Sequence, residues 1–187
     1  MTIPNLITLF RFLLVPGVVF ALITEELGWA FAGFVAAGIS DGVDGFIART
    51  FDQRSELGAY LDPIADKLLL VSVFVVLGYM GHLPLWLVVA AVSRDALIVG
   101  GVVLATVMGN PVAMKPLLVS KANTLVQILL ATLVLAGLSL SISWGNLYLG
   151  LVYLSGLLTV ASGAAYLVSW IKHMGGYVDT GTPKGQD

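Results

Sequence analysis

Six stretches of about twenty mostly apolar residues, near 5–24, 29–49, 58–80, 84–107, 119–141 and 146–171, follow one another with only short polar breaks. A helix of that length crosses roughly 30 Å of hydrocarbon and satisfies its own backbone hydrogen bonds on the way. The pattern predicts an all-α membrane protein: a six-transmembrane-helix bundle forming one domain over 1–174, then a polar, disordered tail over 175–187. Composition points the same way. Hydrophobic residues make up 58% of the chain and charged ones 11%, with a mean hydropathy of +0.98, far from the balance of a soluble domain. Breaks are expected at Glu25-Glu26-Leu27-Gly28, Gly81-His82-Leu83-Pro84, Gly109-Asn110-Pro111 and Trp144-Gly145-Asn146, while Pro16 should kink the first span rather than end it.

The basic residues orient this bundle. With the N-terminus inside, Arg49 and Arg54 fall in one inner loop, Lys115 and Lys121 in the next, and Lys172 and Lys184 in the tail, leaving the outer loops without Lys or Arg. That asymmetry places both termini in the cytoplasm. Residues 1–24 lack the basic start and small-residue cleavage pattern of a secretory signal, and no Arg-rich presequence is visible, so a retained first helix in a multi-pass bacterial inner-membrane protein is expected. The absence of cysteine removes disulfides, thiolate metal sites and cysteine nucleophiles. A net charge of -2 with no basic run argues against nucleic acid as a partner and leaves membrane lipids as the expected surroundings.

Chemistry concentrates in Asp41-Gly42-Val43-Asp44-Gly45-Phe46-Ile47-Ala48-Arg49 and, eight residues later, Gly58-Ala59-Tyr60-Leu61-Asp62-Pro63-Ile64-Ala65-Asp66. On helices, Asp41 and Asp44 share one face and so do Asp62 and Asp66. In antiparallel second and third spans, Asp41 and Asp66 lie at one depth and Asp44 and Asp62 at a shallower one. The spacing allows four carboxylates to meet in the inner leaflet without requiring it. Each intramembrane carboxylate costs about 2.5–3.5 kcal/mol on insertion scales, and cations are the obvious compensation. Oxygen ligands with no His or Cys nearby suit Mg2+ or Mn2+ better than zinc, and two such ions would stabilise a phosphoryl displacement. The competing use is an ion path through the membrane. Such a path needs polar residues in the outer half, where 29–40 and 67–80 offer only Ser40, Lys67 and Ser72. Gly38 and Gly42 form a GxxxG spacing that reads either as helix packing or as room for a ligand; Gly45 and Gly58, flanking the carboxylates, favour the ligand. Arg49 and Arg54 are placed to meet a diphosphate or to set topology.

The pattern Asp41-x2-Asp44-Gly45-x2-Ala48-Arg49-x8-Gly58-x3-Asp62-x3-Asp66 resembles the signature of the CDP-alcohol phosphatidyltransferases at every fixed position. The resemblance implies a homodimeric six-helix bundle in which Asp41, Asp44, Asp62 and Asp66 bind two divalent metals. Gly45, Arg49 and Ser55, with Gly58 beside them, would hold the CDP-diacylglycerol head group. Asp66 would also be the catalytic base: it takes the acceptor hydroxyl's proton, the alkoxide attacks the phosphatidyl phosphorus, and CMP leaves. Asn5-x2-Thr8-x2-Arg11 is similar to the family's opening segment, with Asn5 expected at the nucleotide or diphosphate. Arg11 either faces the site or snorkels to the interface.

Ser93-Arg94-Asp95 and Lys115-Pro116-x3-Ser120-Lys121-x-Asn123-Thr124-x2-Gln127 resemble CMP-forming cardiolipin synthases, whose acceptor is phosphatidylglycerol; phosphatidylglycerophosphate synthases, using sn-glycerol 3-phosphate, share the architecture. Both acceptors are anionic, so Arg94 and Lys121 are candidate acceptor-binding residues. Arg94 could instead pair with Asp95 or reach the Asp44 region, and Lys121 could be a topogenic anchor. Trp29, Trp86, Trp144 and Trp170 are expected in interfacial belts, with His82 and His173 solvated or interfacial.

Overall fold

The computed structural model describes the backbone of residues 3–50, 56–107 and 118–178, and the side chains of 9–42, 64–101, 103–104 and 118–171. Each long apolar stretch forms one helix despite its many β-branched residues, because no interior break is strong enough to stop it. The helices are α1 (Ile3–Ile23), α2 (Leu27–Thr50), α3 (Glu56–Tyr79), α4 (Leu85–Val107), α5 (Leu118–Leu140) and α6 (Gly145–Val178), and no strand occurs among the described residues. Pro16 lies inside α1, as its sequence context predicts. Helix α6 runs beyond the apolar stretch ending at 171, into the segment expected to be a tail; residues 179–187 lie outside the described ones. Two segments, Leu118–Leu140 and Gly145–Ile171, are long and apolar enough to cross a membrane, and Leu9–Ile23 is a shorter apolar helix.

Three of the helix connections are tight and share one design. After α1, Glu25 N–H donates to the Leu22 carbonyl at 3.1 Å and Glu26 N–H to Ala21 at 2.8 Å, with Glu25 at φ 59°. After α3, Gly81 N–H reaches Gly78 at 3.1 Å and His82 N–H reaches Leu77 at 2.8 Å, with Gly81 at φ 79°. After α5, Ile142 N–H donates to Gly137 at 2.9 Å and Ser141 sits at φ 55°. Each left-handed residue lets the chain reverse while the last helical carbonyls stay hydrogen-bonded. Glycine supplies that first left-handed residue only in the second turn, though Gly145, at φ 45°, adds another where α6 begins.

The three turns gather at one end. A Cβ on Gly28 would lie 3.8 Å from Ser139 Oγ, and the Tyr148 hydroxyl donates to the His82 carbonyl at 3.1 Å. Below them α1 packs on α2 and α3, α5 on α6 and α2, and α4 on α6. Leu22, Leu77, Leu87, Leu130 and Leu135 are fully buried there, joined by Val73, Phe34 and Phe74. Close approach depends on missing side chains: a Cβ on Gly156 would meet the Trp86 ring at 2.7 Å, and one on Gly137 would meet Trp144 Nε1 at 2.8 Å. Trp86, which also stacks on Tyr153 at 6.5 Å, and Trp144 therefore act as packing residues; Trp170 likewise lies against Gly101. Trp29 is exposed, as a belt residue should be. No described atom lies near a Cβ built on Gly38 or Gly42, so their GxxxG spacing makes no packing contact among the described residues.

Candidate functional site

Farther along the helices, away from the turns, the interior changes from apolar to charged. Arg11 of α1 is fully buried, and its Nη1 lies 2.5 Å from Asp66 Oδ1 and 3.2 Å from Asp41 Oδ1. The Asp66 and Asp41 side chains stay 43% and 48% exposed. One guanidinium nitrogen thus joins α1, α2 and α3, and the two deeper aspartates meet at one level, as their distances from the connecting loop allow. The snorkelling alternative for Arg11 is overturned: two carboxylates hold its head group inside the bundle, where leaving an ion unpaired is costly.

Asp44, Gly45 and Arg49 lie on α2, Gly58 and Asp62 on α3, and Asn5 on α1, but their side chains are outside the described ones; Ser55 and Arg54 are outside the described residues altogether. Among the described residues no group of three or more His, Cys, Asp or Glu gathers as a metal centre. The two aspartates that are described nevertheless fit a hard cation. They offer only oxygen, both are half-exposed, and both already share one positive charge.

A second cluster lies on the α4 side of α3. Lys67 Nζ is 2.5 Å from Asp95 Oδ1, and Arg94 Nη1 is 2.8 Å from the same oxygen. Arg94 Nη2 donates to Ser120 Oγ and Ser162 Oγ, both at 2.5 Å, Nε donates to Ser162 Oγ at 3.2 Å, and the guanidinium carbon stands 5.8 Å from the Tyr166 ring centre. Arg94 therefore forms the internal pair with Asp95 and links α4 to α5 and α6 while almost fully buried. Lys121, one residue beyond Ser120, is exposed. One turn deeper, Gln127 Nε2 donates to Thr159 Oγ1 at 3.4 Å, and Thr159 Oγ1 donates to Asn123 Oδ1 at 3.0 Å. Sequence reasoning missed this α5–α6 seam. The signal was there: Ser155, Thr159 and Ser162 recur at helical spacing on α6, opposite Ser120, Asn123 and Gln127 on α5.

A cavity of about 450 Å³ lies elsewhere, at the turn end, lined by His82, Leu138, Trp144, Asn146, Tyr148 and neighbours. Among the described residues that line it there is no carboxylate, Lys or Arg.

Comparison with known proteins identifies the family. A family model described as CDP-alcohol phosphatidyltransferase matches residues 1–171. A human cardiolipin synthase (CMP-forming) is 35% identical over 151 residues, covering 72% of this chain and 50% of that protein. One from Schizosaccharomyces pombe, fused to a mitochondrial hydrolase, is 34% identical over 183 residues, 90% of this chain and 31% of that protein. One from Streptomyces coelicolor is 36% identical over 104 residues, 52% of this chain and 48% of that protein. The chain spans about half the length or less of these curated relatives. With a match that covers both the aspartate signature and the helices that carry it, the chain belongs to the CDP-alcohol phosphatidyltransferase family.

Proposed function

We propose that the protein transfers a phosphatidyl group from CDP-diacylglycerol to phosphatidylglycerol, forming cardiolipin and releasing CMP. The observation that carries this reading is the meeting of Asp41 and Asp66 at Arg11, within a chain whose family match covers the whole aspartate signature. The relatives named as CMP-forming cardiolipin synthases support the choice of acceptor.

Asp41, Asp44, Asp62 and Asp66 would hold two Mg2+ or Mn2+ ions, which when bound neutralise diphosphate charge and stabilise the leaving CMP. Arg11 fixes the orientation of Asp41 and Asp66. Asp66 accepts the acceptor hydroxyl's proton as the oxygen attacks phosphorus. Asn5, Gly45, Arg49, Ser55 and Gly58 hold the CDP-diacylglycerol head group, and the open face at Gly42 leaves it room beside Asp41. Lys121 offers exposed positive charge to an anionic acceptor, with Arg94 behind it.

The same proposal includes the setting. Six spans form one membrane domain over 1–174, with the carboxylates and both termini on the cytoplasmic side of a bacterial inner membrane and two chains forming a homodimer. Large apolar side chains exposed on every helix, such as Leu13, Val75, Leu97, Leu125 and Leu157, support burial in lipid, because water-facing surfaces do not carry apolar area on this scale. The three tight turns contain no Lys or Arg, as outer turns should.

The test is CMP release by purified protein with CDP-diacylglycerol and Mg2+ or Mn2+, offering phosphatidylglycerol or sn-glycerol 3-phosphate in separate reactions and identifying the lipid formed. Cardiolipin from the first is the expected result. Product from glycerol phosphate alone would reassign the acceptor, and no metal-dependent CMP from either would overturn the reaction.

A further inference from the structure

Lys67 follows Asp66 directly, so α3 carries an ammonium and a candidate metal-binding carboxylate on adjacent residues. About 100° of helical rotation separates them, and each is tied to a different neighbour: Asp66 to Arg11 of α1, Lys67 to Asp95 of α4. Asp95 Oδ1 serves two cations at once, Lys67 Nζ at 2.5 Å and Arg94 Nη1 at 2.8 Å. The two cations do not depend on it equally. Arg94 keeps its bonds to Ser120 and Ser162, whereas Asp95 is the one ion-pair partner of Lys67 among the described residues. The Lys67 side chain is 35% exposed on a flexible four-carbon stem, one residue along α3 from the half-exposed Asp66, which shares Arg11 Nη1 with the half-exposed Asp41 of α2. Released from Asp95, the ammonium would be drawn to those carboxylates.

We propose that Asp95 is a positioning residue that holds the Lys67 ammonium on the α4 side of α3, keeping it from competing with divalent cations for the Asp41 and Asp66 oxygens. The proposal rests on the metal-binding reading of the aspartates. It makes Asp95 matter to the site through Lys67, and not only through the packing of Arg94.

The test is Mn2+ binding by the purified full chain in detergent, followed by the spin-resonance signal of free Mn2+, for the unaltered protein, Asp95→Asn, Lys67→Gln and the double variant. Asp95→Asn should bind Mn2+ about tenfold more weakly or worse, the scale expected when a like charge comes within about 4–6 Å of a site. Adding Lys67→Gln should restore the affinity, and Asp95→Glu should retain it. Unaltered Mn2+ binding in Asp95→Asn, or a loss that Lys67→Gln leaves uncorrected, would overturn the proposal. If Asp95→Asn alone does not fold, the double variant is compared with Lys67→Gln. Equal affinity supports the proposal, and a further loss overturns it. Absence of Mn2+ binding in the unaltered protein would instead overturn the metal reading, and this proposal with it.

Discussion

The two ends of the bundle solve opposite problems. At the turn end, three reversals of similar hydrogen-bond pattern close the helices over a core of Leu22, Leu77, Leu87 and Leu135, and glycines let Trp86 and Trp144 press against neighbouring backbones. At the other end, ion pairs between helices join Arg11 to Asp41 and Asp66 and Lys67 to Asp95, and Asp95 also pairs with Arg94 within α4. Apolar packing is non-directional and tolerates a methyl group more or less at modest cost, whereas a buried ion that loses its partner has no alternative solvent. The turn end can therefore serve as scaffold while the charged end carries the geometry that the proposed chemistry needs.

Variants can break that division of labour. The largest effect is expected from Asp41→Asn or Asp66→Asn. CMP release should fall by about a thousandfold or more, the scale seen when a group that stabilises developing charge is removed, while circular dichroism shows a helical chain. Near-normal turnover in both would take the chemistry away from the charged end. Next, Arg11→Ala should destabilise the protein, by less than the roughly 3–5 kcal/mol of a fully buried pair because both carboxylates left behind are half-exposed, read as a drop in the detergent unfolding midpoint, and it should impair turnover as well. Leu77→Ala should cost about 2–5 kcal/mol of stability with little change in kcat for the protein that remains folded, because Leu77 belongs to the scaffold. Were kcat to collapse there, the two ends would be coupled more tightly than their contacts suggest. The smallest effect belongs to Thr159→Val, which removes the hydroxyl between Gln127 and Asn123. Hydrogen bonds between membrane helices average about 0.6 kcal/mol, so a shift barely above error is expected.

These two ends were not equally legible in the sequence. The helices fall where apolar runs predict them, and Gly81 marked its turn, because glycine is at ease at positive φ. Glu25 and Ser141 adopt the same conformation without announcing it, since the demand comes from helices packing on both sides and not from a local preference. At the charged end, the matching depths of Asp41 and Asp66 could be read from their distances to one loop. Arg11 could not be placed, because a basic residue in the first half of a membrane helix can reach the interface or turn inward, and only the position of α2 and α3 decides. The Lys67–Asp95 pair was equally hidden. Residues on different helices give no sign of which faces meet, and the α5–α6 polar seam showed its periodicity without showing its partner.

The brevity of the three turns bears on how this chain meets proteases. Trypsin cuts after Lys or Arg, and residues 24–28, 80–84 and 141–144 contain neither. Sealed vesicles displaying the turn end outward should keep the chain whole against added trypsin. With the chain across the membrane as proposed, those displaying the opposite end, where the sequence carries Arg54 and Lys115 between helices, should be cut, so a simple digestion pattern reports which way round the protein was inserted.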